Sequence, residues 1–594
     1  MPPLGVPPVP DSAKKYRTPE DSIREDSAKA RKDTLVTPYS QAPLPVVIEI
    51  GDTYTWDRAA LFNTGLITIY DVLLSVPGLT MFRSGWVTSP QYGAYLGNPG
   101  RVRIFWDGVE TIALGASTSH PLDLSTVPIW AVEQMTVERG ADEMRIYLQS
   151  WTVQRTITQS RVDIVTGDLG TNMLRGYFGT RFVNGMGVQF GGQVYGTTND
   201  PTIGGGSGSD LMLRVGWAGS RFSVDGYAER ANGTRDPQIA TTNIPIYAHP
   251  ELAGGIPGQS GNRTHAYLRL GLGQPDTSRW WAQAMLDQQT VNQQLAGSVT
   301  IGYFPVDSTM VKQNATQVIA AAGLNAGPLQ LSGSGRYRWL PLGTSEEVTA
   351  RAAFSTKIAV FSGYVDYVAD SGGITDLALK VTPLSWLALE GGVGYRIATA
   401  AQGGNGVSGR VAIGALLGRV WISAGAMQRA ATVVPGLTMY DTLYTSASSK
   451  AATGPFLSIK GKVVDDVGIN VWAVRWDNPG YYRPQTQARG EVFLDTDWHS
   501  RFPSGHFGLH ASFGAQLRSD VVFPTTLAGE VIDPSAIVAI QSKYLYTNVE
   551  VRVLDATIYF TANWALDPRP YELVPQYLQE VQVFTYGLRW SFWN

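Results

Sequence analysis

The chain of 594 residues contains no cysteine. Disulfides, thiol catalysis and thiolate metal sites are thereby excluded, while an oxidising compartment is permitted without being required. No window of about eighteen consecutive apolar residues occurs, so a membrane-spanning helix is excluded as well. Charge is sparse, at 16% of residues with a formal net charge of −3, which gives no argument for nucleic acid or for an acidic partner. Only six histidines occur, His120, His249, His265, His499, His506 and His510. His506 and His510 are four apart, so on a strand they share a face yet stand about 13 Å from each other, too far for one ion without a bend. There is no phosphate-cradling loop ending in Gly-Lys-Ser/Thr, and no Ser-His-Asp arrangement can be argued from positions. The sequence offers no argument for an enzyme, a resident metal or a cofactor.

What it has instead is glycine and aromatic side chains: 65 Gly, 27 Tyr and 17 Trp, with aromatic residues at 11%. That balance suits an all-β protein with many turns and interfacial aromatics. The chain ends TYGLRWSFWN. At a period of two, Tyr586, Leu588, Trp590 and Phe592 share one face, while Thr585, Gly587, Arg589 and Ser591 share the other. A soluble protein seldom ends on such a sticky edge. One oily face and one small, polar face fit a strand between lipid and a wet lumen. Without spanning helices, a bilayer can be crossed only by a closed barrel, which pairs every backbone polar group internally.

Residues 1–45 are rich in proline and charge and are expected to be a solvated, extended arm. An outer-membrane barrel is expected to be made with a secretory leader, and MPPLGVPPVP shows neither a charged n-region nor an apolar h-region; a removed leader and a misplaced start both stay open. Residues 46–150 carry short apolar runs with turn signals and read as a small mixed α/β domain. Within it, IYDVLLSVPG reads as a short helix stopped by Pro77 and Gly78. From 151 to 594 hairpin follows hairpin. Strands are expected near 155–168, 171–183, 185–198, 210–220, 221–236, 264–276, 278–292, 312–327, 328–340, 346–357 and 358–370. Eleven more are expected near 374–385, 386–399, 408–419, 420–432, 454–466, 467–477, 481–501, 506–520, 543–555, 556–567 and 581–593. The total, twenty-two, is even, and short connections alternate with long ones after the second junction, as on the two rims of an outer-membrane barrel. In WLALEGGVGYRIA, Leu387, Leu389, Val393, Tyr395 and Ile397 oppose Glu390 and Arg396. A stack of soluble β-sandwiches also alternates, but does not explain the length, the two kinds of connection or the terminal strand. The fold class is therefore a 22-stranded antiparallel transmembrane β-barrel whose wide lumen is filled by the small N-terminal α/β domain acting as a plug. The carboxylates Asp225, Glu229, Glu390 and Glu550 are expected to line that lumen or grip the plug rather than to form catalytic pairs.

Three plug stretches carry a resemblance. DVLLSVPGL (Asp71 to Leu79) resembles a helix ending in Val-Pro-Gly. RVRIFWDGVE (Arg101 to Glu110) resembles a strand ending in Asp-Gly-Val, with Asp107 and Gly108 at its turn. VPIWAVEQMTVERGA (Val127 to Ala141) resembles a strand closing in Arg-Gly, here Arg139 and Gly140. Together they resemble the TonB-dependent receptors of Gram-negative outer membranes, over most of the chain from about Asp33 onward. The resemblance implies a cell outer-membrane location and outer-membrane lipid around the barrel. It further implies an energy-coupling box for TonB, an inner-membrane partner, at Asp33-Thr34-Leu35-Val36-Thr37. Such a box pairs by strand addition and is expected to be extended and unpaired in the isolated protein; an incidental DTLVT in a charged arm is the alternative. It also implies a barrel-insertion signal read by the barrel assembly machinery, at Thr585, Gly587, Trp590 and Phe592. The chain departs from the family pattern in several places. Gln134 stands where the first plug arginine is usual, which removes half of a typical plug-to-barrel charge pairing. DEMRIYLQS replaces the usual run after Arg-Gly, and the outer loops look short for enclosing a large ligand.

Three functions stay open: a transporter importing a scarce, unknown ligand when TonB pulls the box; a plugged barrel serving as a surface scaffold, adhesin or assembly partner; and a passive pore narrowed by its N-terminal domain. Iron chelates, vitamins, glycans and peptides all stay open as ligands.

Overall fold

The computed structural model describes residues 34–594 except 47, 52–53, 63–64, 116–120, 199, 201, 241–254, 296–308, 370, 442, 504, 526–536, 567–570 and 594. Most of the proline-rich arm, including Asp33, lies outside the described residues. The N-terminal domain contains β1 (Thr55–Asp57), α1 (Arg58–Phe62), α2 (Ile69–Leu73), β2 (Leu79–Arg83), β3 (Gln91–Tyr95), β4 (Val102–Trp106), β5 (Val109–Glu110), β6 (Val132–Arg139) and β7 (Met144–Ser150). Its sheet runs β1-β6-β7-β4-β5, with β4 and β7 parallel, and β2 and β3 form a separate hairpin. α2 starts where Asp71 accepts from the backbone N–H groups of Ile67 and Thr68, at 3.0 and 2.9 Å, satisfying donors that a helix start leaves orphaned. It stops before Pro77 and Gly78, whose φ is +80°. Ile69, Val72 and Leu73 of this helix pack with Ile104, Val137 and Ile146 of the sheet in a fully buried core.

The chain then builds a single closed barrel from Gln159–Gly167 to Gln582–Trp593, with all of its neighbours antiparallel and the last strand paired to the first from Thr585↔Gly167 to Trp593↔Gln159. Each of the twenty-two expected strands is present. The differences are at the ends. The first strand begins at Gln159 rather than 155, because the preceding residues pair with the arm, and the strand expected over 481–501 spans only Thr486–Thr496. Leu389 and Val393 face outward, 44% and 47% exposed, while Glu390 and Arg396 point into the lumen and are buried.

In the terminal strand Thr585 is buried beside Thr561, Gly587 lies opposite Tyr559, and the Trp590 and Phe592 rings pack 4.3 Å apart, with Trp590 on the outward face. A charged side chain facing lipid costs up to about 2–4 kcal/mol at the midplane, less for Asp and near the rims. The double replacement Trp590→Asp/Phe592→Asp is expected to lower the yield of inserted barrel several-fold, read as the heat-modifiable band in membrane fractions. An unchanged band would remove the role assigned to this strand.

The rim opposite the short turns departs from the expectation of small loops. Among the described residues four connections carry small hairpins of their own: Gln238–Ile239 with Gly255–Ile256, Thr432–Val434 with Ala447–Ser449, Val521–Val522 with Val538–Ala539, and Tyr571–Val574 with Tyr577–Gln579. Pairs only two to four residues long leave no readable alternation, so the sequence pattern does not show them.

Candidate functional site

The arm enters at the short-turn rim. Val36 donates its N–H to the Gln154 carbonyl at 3.0 Å, and Thr156 donates to the Thr34 carbonyl at 3.1 Å. Leu35 thus bridges Arg155 antiparallel, with its side chain 76% exposed. The stretch is extended as expected but is paired on one side, against the expectation of an unpaired box. Only its other edge, carrying the Leu35 N–H, is open to an added strand. The following residues are not a free arm. Arg181 donates to the Thr37 carbonyl at 2.8 Å, Arg269 to the Ser40 carbonyl at 2.8 Å and Gln283 to the Gln41 carbonyl at 2.6 Å. Lumen arginines and glutamines thereby satisfy backbone carbonyls that burial would otherwise leave unpaired.

The plug is held by charge around much of its girth. Asp107 and Gly108 have φ of +49° and +87° and join β4 to β5 in a two-residue turn with both centres left-handed, a conformation that suits Asp-Gly. That turn aims the Asp107 carboxylate at Ser150, whose N–H donates at 2.9 Å, and at the Tyr267 hydroxyl of the barrel at 2.8 Å. Burial alone would raise the Asp107 pKa, but Arg214 and Arg269 hold it below the usual range. Arg214 also closes a buried pair with Asp225 at 2.5 Å. Arg139 grips Glu49 through two hydrogen bonds of 2.8 and 2.5 Å, and Arg410 of the barrel bridges Glu49 at 3.3 Å and Glu390 at 2.7 Å. Gly140 leaves room for Asp376, whose Oδ2 would lie 2.3 Å from any added Cβ. Arg145 uses that space, reaching Asp376 at 2.8 Å and Glu138 at 2.9 Å, while Arg351 pairs with the same Glu138 at 2.8 Å. A third web centres on Glu110, which meets Arg103 at 2.7 Å, Arg336 at 3.1 Å and Arg338 still closer, with Glu347 and Asp366 completing it. Gln134, in register with Asp57, carries no such charge, yet the pairing expected to be halved is abundant, with Arg103 reaching Asp366 and Arg145 reaching Asp376 of the barrel, and Arg410 of the barrel reaching Glu49 of the plug.

Of the four lumen carboxylates singled out from sequence, Asp225, Glu390 and Glu550 sit in ion pairs, Glu550 with Arg589 at 2.5 Å. Glu229 accepts from the Tyr227 hydroxyl at 2.9 Å. His265, which sequence reasoning passed over, bonds Asp287 at 2.7 Å, whereas His506 lies exposed just ahead of the strand Phe507–Arg518 that carries His510.

At the outer rim the hairpin β2–β3 is roofed. Phe82 and Tyr92 pack edge-on against Tyr482, Phe523 and Tyr440 from three separate connections, and all are buried. Tyr440 donates to the Pro90 carbonyl at 2.9 Å, and Gln579 to that of Arg83 at 3.1 Å. Beside this roof, where the connection 369–371 is short, a vestibule of about 440 Å³ opens between plug and barrel, lined by Arg101, Arg103, Glu143, Arg338, Asp366 and Arg396 among others.

Glu143 stands out there. It follows the tight turn in which Gly140 donates to its carbonyl at 2.9 Å, and its carboxylate stops 3.5 Å from both Arg103 and Arg145. Burial lifts its pKa from 4.5 to about 7, against the pull of Arg103, Arg145 and Arg101. Between those values the folded state binds more protons than the unfolded one, so this group subtracts stability as pH rises through the window. Glu143→Gln is expected to make the plug more resistant to urea and protease than the parent at pH 8, and equal to it near pH 4. A variant weaker than the parent at pH 8 would contradict this.

No protein-family model matches the sequence, and no curated protein matches it by sequence. Solved structures do match. A variant of the ferric enterobactin receptor from Pseudomonas aeruginosa, in complex with enterobactin, superposes with a TM-score of 0.67 at 11% identity over 91% of this chain and 99% of its own. The siderophore receptor PirA from Acinetobacter baumannii gives 0.66 at 12% identity over 91% and 98%. The copper transporter OprC gives 0.69 at 10% identity over 92% and 99%. This protein has their fold. In this plugged barrel the sequence-chosen residues fall into three groups that the fold keeps apart. Thr34, Leu35, Val36 and Thr37 lie at the short-turn rim, Asp107, Gly108, Arg139 and Gly140 at the plug–barrel contact, and Thr585, Gly587, Trp590 and Phe592 in the wall.

Proposed function

We propose that the protein is an outer-membrane receptor that imports a scarce ligand, with the plug displaced when TonB adds a strand to residues 33–37 and pulls. The observation that carries this reading is the half-paired Thr34–Val36 strand at the short-turn rim, one edge of which is open. An outer membrane stores no ATP, so force must arrive through an extended segment of this kind. The ion pairs between plug and wall support the reading too, since they can be exchanged for water as the plug moves. The names of the similar structures, receptors and transporters for siderophores, iron and copper, point the same way. Single cysteines placed at residues 33–37 of this cysteine-free chain are expected to cross-link to the C-terminal domain of TonB, strongest at Leu35. No cross-link at any of the five would remove the reading.

The roof over β2–β3 favours a second reading, a plugged scaffold whose outer face serves as a docking surface without transport. In that case the loops stay closed in cells, and cysteine pairs locking Tyr440 to its neighbours would change nothing measurable. In the importer, such locks are expected to slow uptake.

A further inference from the structure

Near the outer rim one inward-facing row of the wall is almost bare of side chains. Tyr195, Gly208, Gly233, Gly261 and Gln293 stand in register on five neighbouring strands, from Met186–Gly196 to Trp280–Leu295. Three successive glycines cut a trough in the wall, and plug residues 125–130 face it across a cavity of about 160 Å³. A cavity of about 150 Å³ takes one benzene ring, so this space matches a single six-membered ring, here with a polar lining. A Cβ on Gly208 would strike the Tyr195 ring at 2.5 Å, but one on Gly233 would meet nothing nearer than the Tyr195 hydroxyl at 3.3 Å. That hydroxyl hangs over the trough and makes no hydrogen bond among the described residues. Two buried side chains reach the same space with capacity to spare. Glu229, 8% exposed, accepts from the Tyr227 hydroxyl through Oε2 and leaves Oε1 without a donor among the described residues. Arg175, 3% exposed, spends Nε on Gln193 at 3.1 Å and Nη2 on the Met173 sulfur, and leaves Nη1 without an acceptor there. Both residues line the cavity, and both unused atoms keep accessible surface. The side-chain nitrogens of Gln259 and Gln293 are unspent too.

We propose that this cavity binds one ring of a neutral sugar, with Glu229 accepting from one hydroxyl, Arg175 donating to another, and Tyr195 and the two amides completing the set. Charge decides the class. Asp123, Asp210 and Glu229 face Arg175, Arg235 and Arg263 around the cavity, so the lining as a whole favours neither a cation nor an anion. Donors interleaved with acceptors suit hydroxyl groups, each of which does both. The bare backbone of the trough leaves the space that the ring needs, and a side chain there would take it. The proposal deepens the import reading, on which the role of the sugar as cargo rests, whereas occupancy of the site is a matter of binding alone.

The test is calorimetric titration of the full-length protein in micelles of an amine-oxide detergent, which carries no sugar headgroup. The probes are glucose, galactose and mannose, each with its uronate and its 2-amino form. At least one neutral hexose is expected to bind, and its two charged forms to bind about tenfold more weakly, because a charge there finds no unbalanced partner. Glu229→Gln is expected to weaken the neutral hexose about tenfold, as loss of a hydrogen bond to a charged group implies. Gly233→Leu, which fills the trough, should abolish binding. Gly335→Leu, on the outward face of the strand Leu329–Leu340 where an added Cβ meets nothing within 4 Å, should bind as the parent does. An intact heat-modifiable barrel is the folding check for each variant. No binding of any hexose at tens of millimolar, charged forms that bind as tightly as the neutral one, or a folded Gly233→Leu protein with the parent's affinity would overturn the proposal. Leu35→Pro should bind the hexose as the parent does, so a failed import reading and a failed site are told apart.

Discussion

Leu35→Pro is expected to reduce binding of the TonB C-terminal domain by at least tenfold and to bring energised uptake down to background, while the barrel folds and inserts normally. The reason lies in which bonds are already made. Val36 donates to Gln154 and Thr34 accepts from Thr156, so these two residues use the inner edge of the strand. The Leu35 N–H points to the outer edge, where an added strand must be received. Proline there removes the donor that a partner needs without touching the existing pair, and its demand for an extended preceding residue suits Thr34 as it stands. Val36→Pro does the opposite. It breaks the bond to Gln154, frees the segment and is expected to leave cross-linking to TonB equal or stronger. If Leu35→Pro keeps full cross-linking and uptake, residues 33–37 are not the coupling segment.

The second large effect is expected at Glu110. Its carboxylate serves Arg103, Arg336 and Arg338, and these outweigh the effect of burial, holding it ionised far below the ordinary range. Glu110→Ala leaves three guanidinium groups facing Glu347 and Asp366, with Glu143 at 3.5 Å from Arg103 as the remaining carboxylate. Removing one member of a buried charge web costs about 3–5 kcal/mol, because the partners stay buried and uncompensated. The plug of this variant is therefore expected to become protease-sensitive at urea concentrations that the parent withstands, with the barrel itself unaffected. A loss below about 1 kcal/mol would mean that water already screens the web. Acid should act in the same direction. Glu49, Asp107, Glu110 and Glu138 all have lowered values in the folded plug. Their contribution is thus present above the ordinary carboxylate range and is lost as pH falls through the folded values, so the grip on the plug should loosen only in strong acid.

The barrel is legible in the chain because each strand announces itself locally. Leu389 against Glu390, or Trp590 against Arg589, sorts lipid from lumen at a period of two, and a two-residue turn such as Asp107-Gly108 needs no distant information. What cannot be read are contacts between residues hundreds of positions apart. Glu110 meets Arg338, and Glu49 meets Arg410, only once the barrel has wrapped the plug, and no spacing along the chain marks those partners. The roof is hidden for a related reason. Tyr440 and Phe523 sit in stretches that read as loop and Tyr482 at the start of the strand expected over 481–501, and only their convergence on Phe82 and Tyr92 makes them a core. Glu143 gave no signal at all, since a lone glutamate after a glycine turn reads as a solvated charge. The inner pairing of Thr34–Val36 was missed because Gln154–Thr156 continues naturally into the first barrel strand.

The central claim is that force on the arm displaces the plug and leaves the barrel standing, and mechanical extension measures it directly. A Cβ on Gly414 would lie 2.6 Å from the Ile50 side chain, so Ile50→Cys/Gly414→Cys can join plug and wall by a disulfide in a chain with no other thiol. The protein is held in a bilayer and pulled from residue 34. With the disulfide oxidised, extension is expected to stop once residues 34–50 are straight, adding no more than about 55 Å at roughly 3.4 Å per residue. After reduction the same molecule should extend well past that length as the plug unravels, at forces that leave the barrel intact. A reduced protein that also stops at the shorter length until the barrel itself fails would contradict the account.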